Sequence, residues 1–218
     1  MAQQPGTAGP AFDYSRLAMP IGEAMFTQRS IRRFRPDPIP LADVRLMLEA
    51  AVKAPSGGNQ QWARFLVLND RDRIREFGAL YREAWWAKRR DFEGWTKPED
   101  IPPTSKVSLS AMRLADEIGE APLVVFVLAE PPGPANSVIT CAQNLMLAAR
   151  ALGIGSCPTT LHPQVMERFH AMFGIPEKVA FHFCVPMGYP RGRFGPTARR
   201  PAAETSYLGA WGAPVPWA

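Results

Sequence analysis

Apolar positions along the chain recur at helical spacing in some stretches and run continuously in others. In "LADVRLMLEAAVKA", Leu41, Val44, Met47, Leu48 and Ala51 fall on one helical face. "IGEAMFTQRS" before it has weaker helical spacing. Arg71 to about Arg90 reads as a helix with a mixed face, and "SLSAMRLADEIG" as a short one. "NSVITCAQNLMLAARALG" is apolar nearly all round, the pattern of a central helix. "PQVMERFHAMFG" predicts a helix closed by Gly174. Strands are expected at "RFLVLN", at the apolar run "PLVVFVLA" and at the alternating "KVAFHFCVPMGYP", with "IGSCPTTL" a strand or extended loop. Helices come first, and strands and helices then mix without a regular βαβ beat or an internal repeat, which predicts an α+β fold.

Breakers set the boundaries. Pro36, Pro38 and Pro40 force an extended segment from Arg35 to Pro40. "PSGGNQQ" is a loop between a helix and a strand, and "KPEDIPPTS" interrupts the chain after three tryptophans. Residues 1–20 read as a loosely attached lead-in. Residues 21–218 read as one domain, with an aromatic, basic lid over about 80–105 and an extended tail over about 200–218.

The 218 residues carry a net charge of +5 at a pI near 9.4, with acidic residues interleaved along most of the chain. That balance alone does not point to nucleic acid, and no nucleic-acid partner is expected. The longest apolar run, from Ala121, is too short to cross a bilayer, so no membrane partner is expected. Cys141, Cys157 and Cys184 form no CxxC pair, which fits a reducing, cytoplasmic setting. His162, His170 and His182 lack metal-ligand spacing, and no metal is expected. Cys157 reads as a small buried thiol rather than a nucleophile. There is no Walker loop, G-x-S-x-G elbow or H-E-x-x-H. If the chain is an enzyme, its reactive group is borrowed from a cofactor.

Three stretches narrow that choice: "QRSIRRFRPDPIP" before an apolar helix, "AAVKAPSGGNQQWARFLVL" joining that helix to a strand, and "GYPRGRFGPTARRP" after the last strand. Their order and spacing, over about residues 22–205, resemble the FMN-dependent nitroreductase family, which includes iodotyrosine deiodinases and dimethylbenzimidazole synthases. The resemblance implies a nitroreductase-like fold: a central, mainly antiparallel sheet flanked by helices, in an intertwined homodimer with flavins at the subunit interface.

It also implies roles for particular residues. Arg29, Ser30, Arg32 and the late Arg199 would hold the FMN phosphate, a dianion suited to bidentate arginine. Arg33 and Arg35 match no such role and read as surface or interface charges. Pro55 and Ser56 would lie along the isoalloxazine, where glycines let the backbone approach a flat ring. Asn59 would pair with the pyrimidine edge. Thr160, flanked by Pro158 and Thr159, falls where deiodinases place a threonine hydroxyl at flavin N5. No side chain need act as acid or base.

Departures from the family pattern are Gln28 for an arginine, Trp62 for a proline and Ala63 for a tryptophan. Arg82 and Trp86 replace the acidic and tyrosine lid residues of deiodinases, so an iodotyrosine ammonium would face a cation. Ser30 stands where the flavin-fragmenting synthases carry an aspartate. What remains is a lid from about Tyr81 to Trp95, whose Trp85, Trp86 and Trp95 could stack on a planar acceptor. Its cations Arg82, Lys88, Arg89 or Arg90 could attract an anionic one. The alternative for that segment is an amphipathic helix packed on its own subunit.

The expected function is ping-pong NAD(P)H-dependent reduction of nitroaromatic, quinone or related small planar aromatic acceptors. The alternatives are a flavin storage or sensor protein on the same fold, and reductive dehalogenation of a non-zwitterionic aromatic.

Overall fold

The computed structural model describes residues 13–131 and 135–217. Its helices are α1 (Ile21–Thr27), α2 (Leu41–Ala51), α3 (Arg71–Glu93), α4 (Lys106–Glu117), α5 (Ala135–Ala151) and α6 (Met166–Phe173). Its strands are β1 (Ala63–Leu68), β2 (Leu123–Ala129), β3 (Gly155–Ser156) and β4 (Ala180–Gly188). The sheet order is β1-β2-β4-β3, and every pairing is antiparallel. The expected α+β architecture is the one observed.

All seven residues of β2 are buried, which explains the unbroken apolar run: the strand has neighbours on both edges and helices over both faces. Phe126 faces one layer with Phe77 and Phe169, and Val125 and Val127 face the other with Met47, Val138 and Leu145. Alternate β2 residues thus divide the core into an α3/α4/α6 side and an α2/α5 side.

Two segments singled out in the sequence can be placed on this framework. The lead-in is docked from residue 13 onward, where Ser15–Leu17 form a 3-10 turn and Arg16 pairs with the buried Asp43 of α2. Its first twelve residues lie outside the described ones. The segment expected as a lid begins as the second half of α3, which runs unbroken to a left-handed Gly94. Its Leu80, Tyr81, Ala84, Trp85 and Ala87 are buried, and Trp86 and Trp95 pack against the same core. Trp85 and Trp86 therefore do what apolar side chains on a helix usually do, and Trp95, just past its end, joins them.

Candidate functional site

After α1 the chain runs along the β3 edge of the sheet. The Ile31 amide donates to the Ser156 carbonyl at 2.9 Å, Ser30 bridges Ser156 in parallel, and Phe34 bridges Pro190. Two glycines make this approach possible. A Cβ on Gly155 would lie 2.7 Å from Ile31 Cβ, and one on Gly188 would lie 2.8 Å from Phe34 Cβ. Ile31 and Phe34 are buried by the contact, and the arginines between and beside them are turned outward.

They converge on a pocket of about 300 Å³. Arg29, Arg32, Arg33, Arg191 and Arg193 line it, with the hydroxyl-bearing Ser30 and Ser110. Only Arg33 has an acidic partner, Glu117 at 3.4 Å. Arg191 spends its Nε on the Phe34 carbonyl at 2.7 Å. Arg29, Arg32 and Arg193 have no carboxylate within ion-pair distance among the described residues. Five guanidinium groups against one carboxylate make a local field that favours a small anion, and arginine forks suit the oxygens of a phosphate. Beneath the pocket lies the buried Cys157 thiol. Burial pushes it up, against the charge of Arg32 and hydrogen bonds with Ser30 and Arg32. A thiol so placed is a poor nucleophile.

β3 continues from this pocket into Cys157–Thr160. The Thr159 amide donates to the Cys184 carbonyl at 2.9 Å, and the Cys184 amide returns the bond at 2.8 Å. The Thr159 hydroxyl shares a 2.8 Å hydrogen bond with Tyr81 of α3, whose phenol burial pushes well up. Pro158 is half-buried, and Thr160 is exposed at the end of the paired segment. Its hydroxyl receives the Lys88 ammonium at 2.5 Å. Ser30 and Thr160 are thus joined through one edge bridge and four residues of nearly extended chain, roughly 13 Å.

Pro55, Ser56 and Asn59 are elsewhere. Their loop precedes β1 and packs on the start of α5: the Gly57 amide donates to Ser137 Oγ at 3.1 Å, and the Gln61 amide to Ser56 Oγ at 2.9 Å. Gly58, Asn59 and Gln61 all have positive φ, near 58°, 53° and 54°. A left-handed glutamine is strain of the kind found at functional loops. From Ser30 this loop is four strand spacings across, roughly 19 Å, and six residues of β2 along, roughly 20 Å. The residues expected to form one site therefore fall into two groups at opposite corners of the sheet.

Arg199 joins neither group. It is exposed, donates to the Ala198 carbonyl beside it, and does not line the arginine pocket. The sequence reading missed Arg191 and Arg193, which the Phe34–Pro190 bridge brings to the pocket. Their signal is the R-G-R directly after the last strand. Arg33 also lines the pocket, against the expectation that it stands apart. Gln28 turns away toward Met146 of α5. Ala63 starts β1, and Trp62 just before it packs on the α2/α5 side of the core. A separate cavity of about 610 Å³ lies between Tyr14–Ala24, α2 and α5, and none of the expected site residues lines it. Among the described residues no three His, Cys, Asp or Glu side chains are grouped to hold a metal, and no helix is long and apolar enough to cross a membrane.

Relatives share this frame. A 5,6-dimethylbenzimidazole synthase of Rhodospirillum rubrum is 31% identical over 211 residues, covering 88% of this chain and 96% of that protein. An iodotyrosine deiodinase of Thermotoga neapolitana is 27% identical over 168 residues, covering 75% of this chain and 84% of the relative. The FMN-dependent nitroreductase NfnB of Mycobacterium smegmatis, solved in complex with NADPH, superposes with a TM-score of 0.66 at 25% identity, covering 91% of this chain and all of that one. The model of the nitroreductase family matches residues 26–189, from the end of α1 to the residue after β4. The chain belongs to the nitroreductase family.

Proposed function

We propose that the chain is an FMN-dependent oxidoreductase that takes electrons from NAD(P)H and gives them to small planar aromatic acceptors such as nitroarenes or quinones. The observation that carries this reading is the arginine pocket joined by one strand edge to Thr160. A guanidinium cluster short of carboxylates calls for a small, highly charged anion. The exposed Thr160 hydroxyl, roughly 13 Å along the same strand edge, gives a hydrogen-bonding group for the far end of the same ligand. FMN has both features in the right order, and the solved relative NfnB is FMN-dependent and was crystallised with NADPH.

When bound, FMN supplies hydride acceptance at N5 and return of the electrons to an acceptor in alternating half-reactions. The chain's own part is binding and orientation. Arg29, Arg32 and Ser30 hold the phosphate, with Arg191 and Arg193 closing the pocket. Pro158 and Thr159 line the approach, and Thr160 offers its hydroxyl to N5. Preorganised donors of this kind stabilise the charge that reduction brings, and no side chain need act as acid or base.

The loop with Pro55, Ser56 and Asn59 is too far away to meet the same flavin within one chain. We infer that a second copy supplies it, so that two flavins sit between two chains. Large apolar side chains exposed on one chain fit that assembly, among them Phe26 at 77%, Leu41 at 66%, Ile139 at 49% and Trp211 at 91%.

The absorbance spectrum of the purified protein tests the cofactor, and steady-state oxidation of NADH and NADPH with menadione or a nitroarene tests the activity. Flavin bands, FMN release on denaturation and acceptor-dependent turnover are expected. A yellow protein without turnover would leave a flavin carrier instead. A colourless protein that cannot be reconstituted with FMN would overturn the reading.

A further inference from the structure

The second half of α3 carries four cations, and three of them are neutralised. Arg82 pairs with Asp116 at 2.7 Å, Arg89 with Glu93 at 2.8 Å and Arg90 with Asp91 at 2.8 Å. Lys88 has no carboxylate within ion-pair distance among the described residues. Its ammonium instead donates to Thr160 Oγ1 at 2.5 Å and approaches the Thr160 carbonyl at 3.3 Å. We propose that Lys88 is a positioning residue: it holds the Thr160 hydroxyl with its proton turned toward the flavin and, through it, raises the flavin's affinity for electrons. This rests on the flavin reading given above.

The direction of the hydrogen bond is fixed by chemistry. An ammonium has three donors and no acceptor, so the threonine oxygen must accept. The single Thr160 proton is left for another partner, and oxidised N5 is an acceptor. After reduction, N5–H donates, and the second lone pair of Thr160 Oγ1 can receive it. While N5 accepts, the bonds from Lys88 to Thr160 and from Thr160 to N5 run in series and strengthen one another, drawing electron density toward the ring, and in both states the nearby positive charge favours the electron-rich ring.

The frame that holds Lys88 is rigid. Tyr81 and Lys88 are seven residues apart and so share one face of α3. Tyr81 is 2% exposed and bonds Thr159, while Lys88 bonds Thr160, so one helix face grips two successive residues of the segment. Asp91, one turn on, reaches His162 at 3.0 Å. Partial burial and the neighbouring Arg89 lower the Lys88 pKa, which marks a cation that gains from added negative charge nearby.

The test is the flavin midpoint potential of FMN-loaded protein, measured against a reference dye in wild type, K88M, K88Q, T160A and K88M/T160A. The two Lys88 variants should shift the two-electron equilibrium about tenfold toward oxidised flavin, about 30 mV lower. T160A should do the same, and the double variant should be no worse than T160A alone, as expected for two residues acting in one chain. A Lys88 that only staples α3 to the loop would change thermal stability and leave the potential where it is. FMN retained with an unmoved potential in both Lys88 variants overturns the inference alone, as does a fully additive double variant. A wild-type chain that retains no FMN overturns the flavin reading and this inference with it.

Discussion

The two corners of the sheet that carry the expected site residues are built in opposite ways. The Arg29–Arg32 corner is held by backbone: Ile31 pairs with Ser156, Arg35 with Tyr189, and Arg191 with Arg33. Its side chains are left free, and their charges are mostly uncompensated. The Pro55–Asn59 corner is held by side chains such as Ser137 and Ser56, and it keeps three residues in left-handed backbone. The first corner gathers its cations within one chain, as the proposed phosphate site requires. The second is a strained, largely exposed loop, and only the proposed second copy would bring it to a flavin.

The largest effect is expected at the first corner. Each charged hydrogen bond to phosphate contributes roughly 1.5–3 kcal/mol, so R29A/R32A should weaken FMN binding a hundredfold or more. R193A should weaken it by roughly 1.5–3 kcal/mol on the same reasoning. Riboflavin lacks the phosphate, and its affinity should stay near the wild-type value in titrations followed by flavin fluorescence. Equal losses for FMN and riboflavin would move the phosphate away from this pocket.

G155A tests the same corner through its backbone. The added methyl would meet Ile31 Cβ at 2.7 Å, so either Ile31 or β3 must shift. Overpacking of this kind costs roughly 1–3 kcal/mol, read as a lower denaturation midpoint at unchanged slope. FMN affinity should fall as well, because Ile31 sits between Ser30 and Arg32. A stable G155A with full FMN affinity would show that the edge pairing does not set the arginines.

The other corner is tested by mixing chains. N59A should lose one ordinary hydrogen bond to the ring, roughly 0.5–1.5 kcal/mol. The sharper result is complementation. A chain carrying R29A/R32A and a chain carrying S56A/N59A each lack one half of every site. A mixed dimer has one site with both halves intact and one with neither. Recovery of tightly bound FMN on co-expression is expected, and no recovery would put both halves in one chain.

These contrasts show what the sequence makes legible. Ser30 and the arginines beside it are contiguous, so one short motif reveals them. Apolar runs and periods reveal β2, α2 and α5, because burial on both faces or on one leaves a local pattern. Arg191 and Arg193 are more than 150 residues from Arg32, and only the Phe34–Pro190 bridge makes them neighbours. β3 pairs through just two residues and has no alternation of its own to read. α5 reads as a central helix, apolar nearly all round, yet Ile139 on it is 49% exposed, since the sequence records that a face is apolar and not what covers it. Lys88 is one cation in a basic run, set apart only by the carboxylate pairing of Arg82, Arg89 and Arg90.

Arg199 gives the smallest expected effect and the finest distinction. Family spacing assigns it to the phosphate, whereas in this chain it is exposed and, among the described residues, bonds the carbonyl of Ala198 alone. Arg193 already stands in the pocket, on a segment that the sheet edge fixes. Substituting an exposed side chain without partners usually changes stability by no more than about 0.5 kcal/mol, and R199A should change FMN affinity by a similarly small amount, well below R193A. The two variants compared in one fluorescence titration decide the matter. A loss in R199A as large as in R32A would mean that the tail moves onto the pocket when a second copy binds, and the first corner would then be no more complete within one chain than the second.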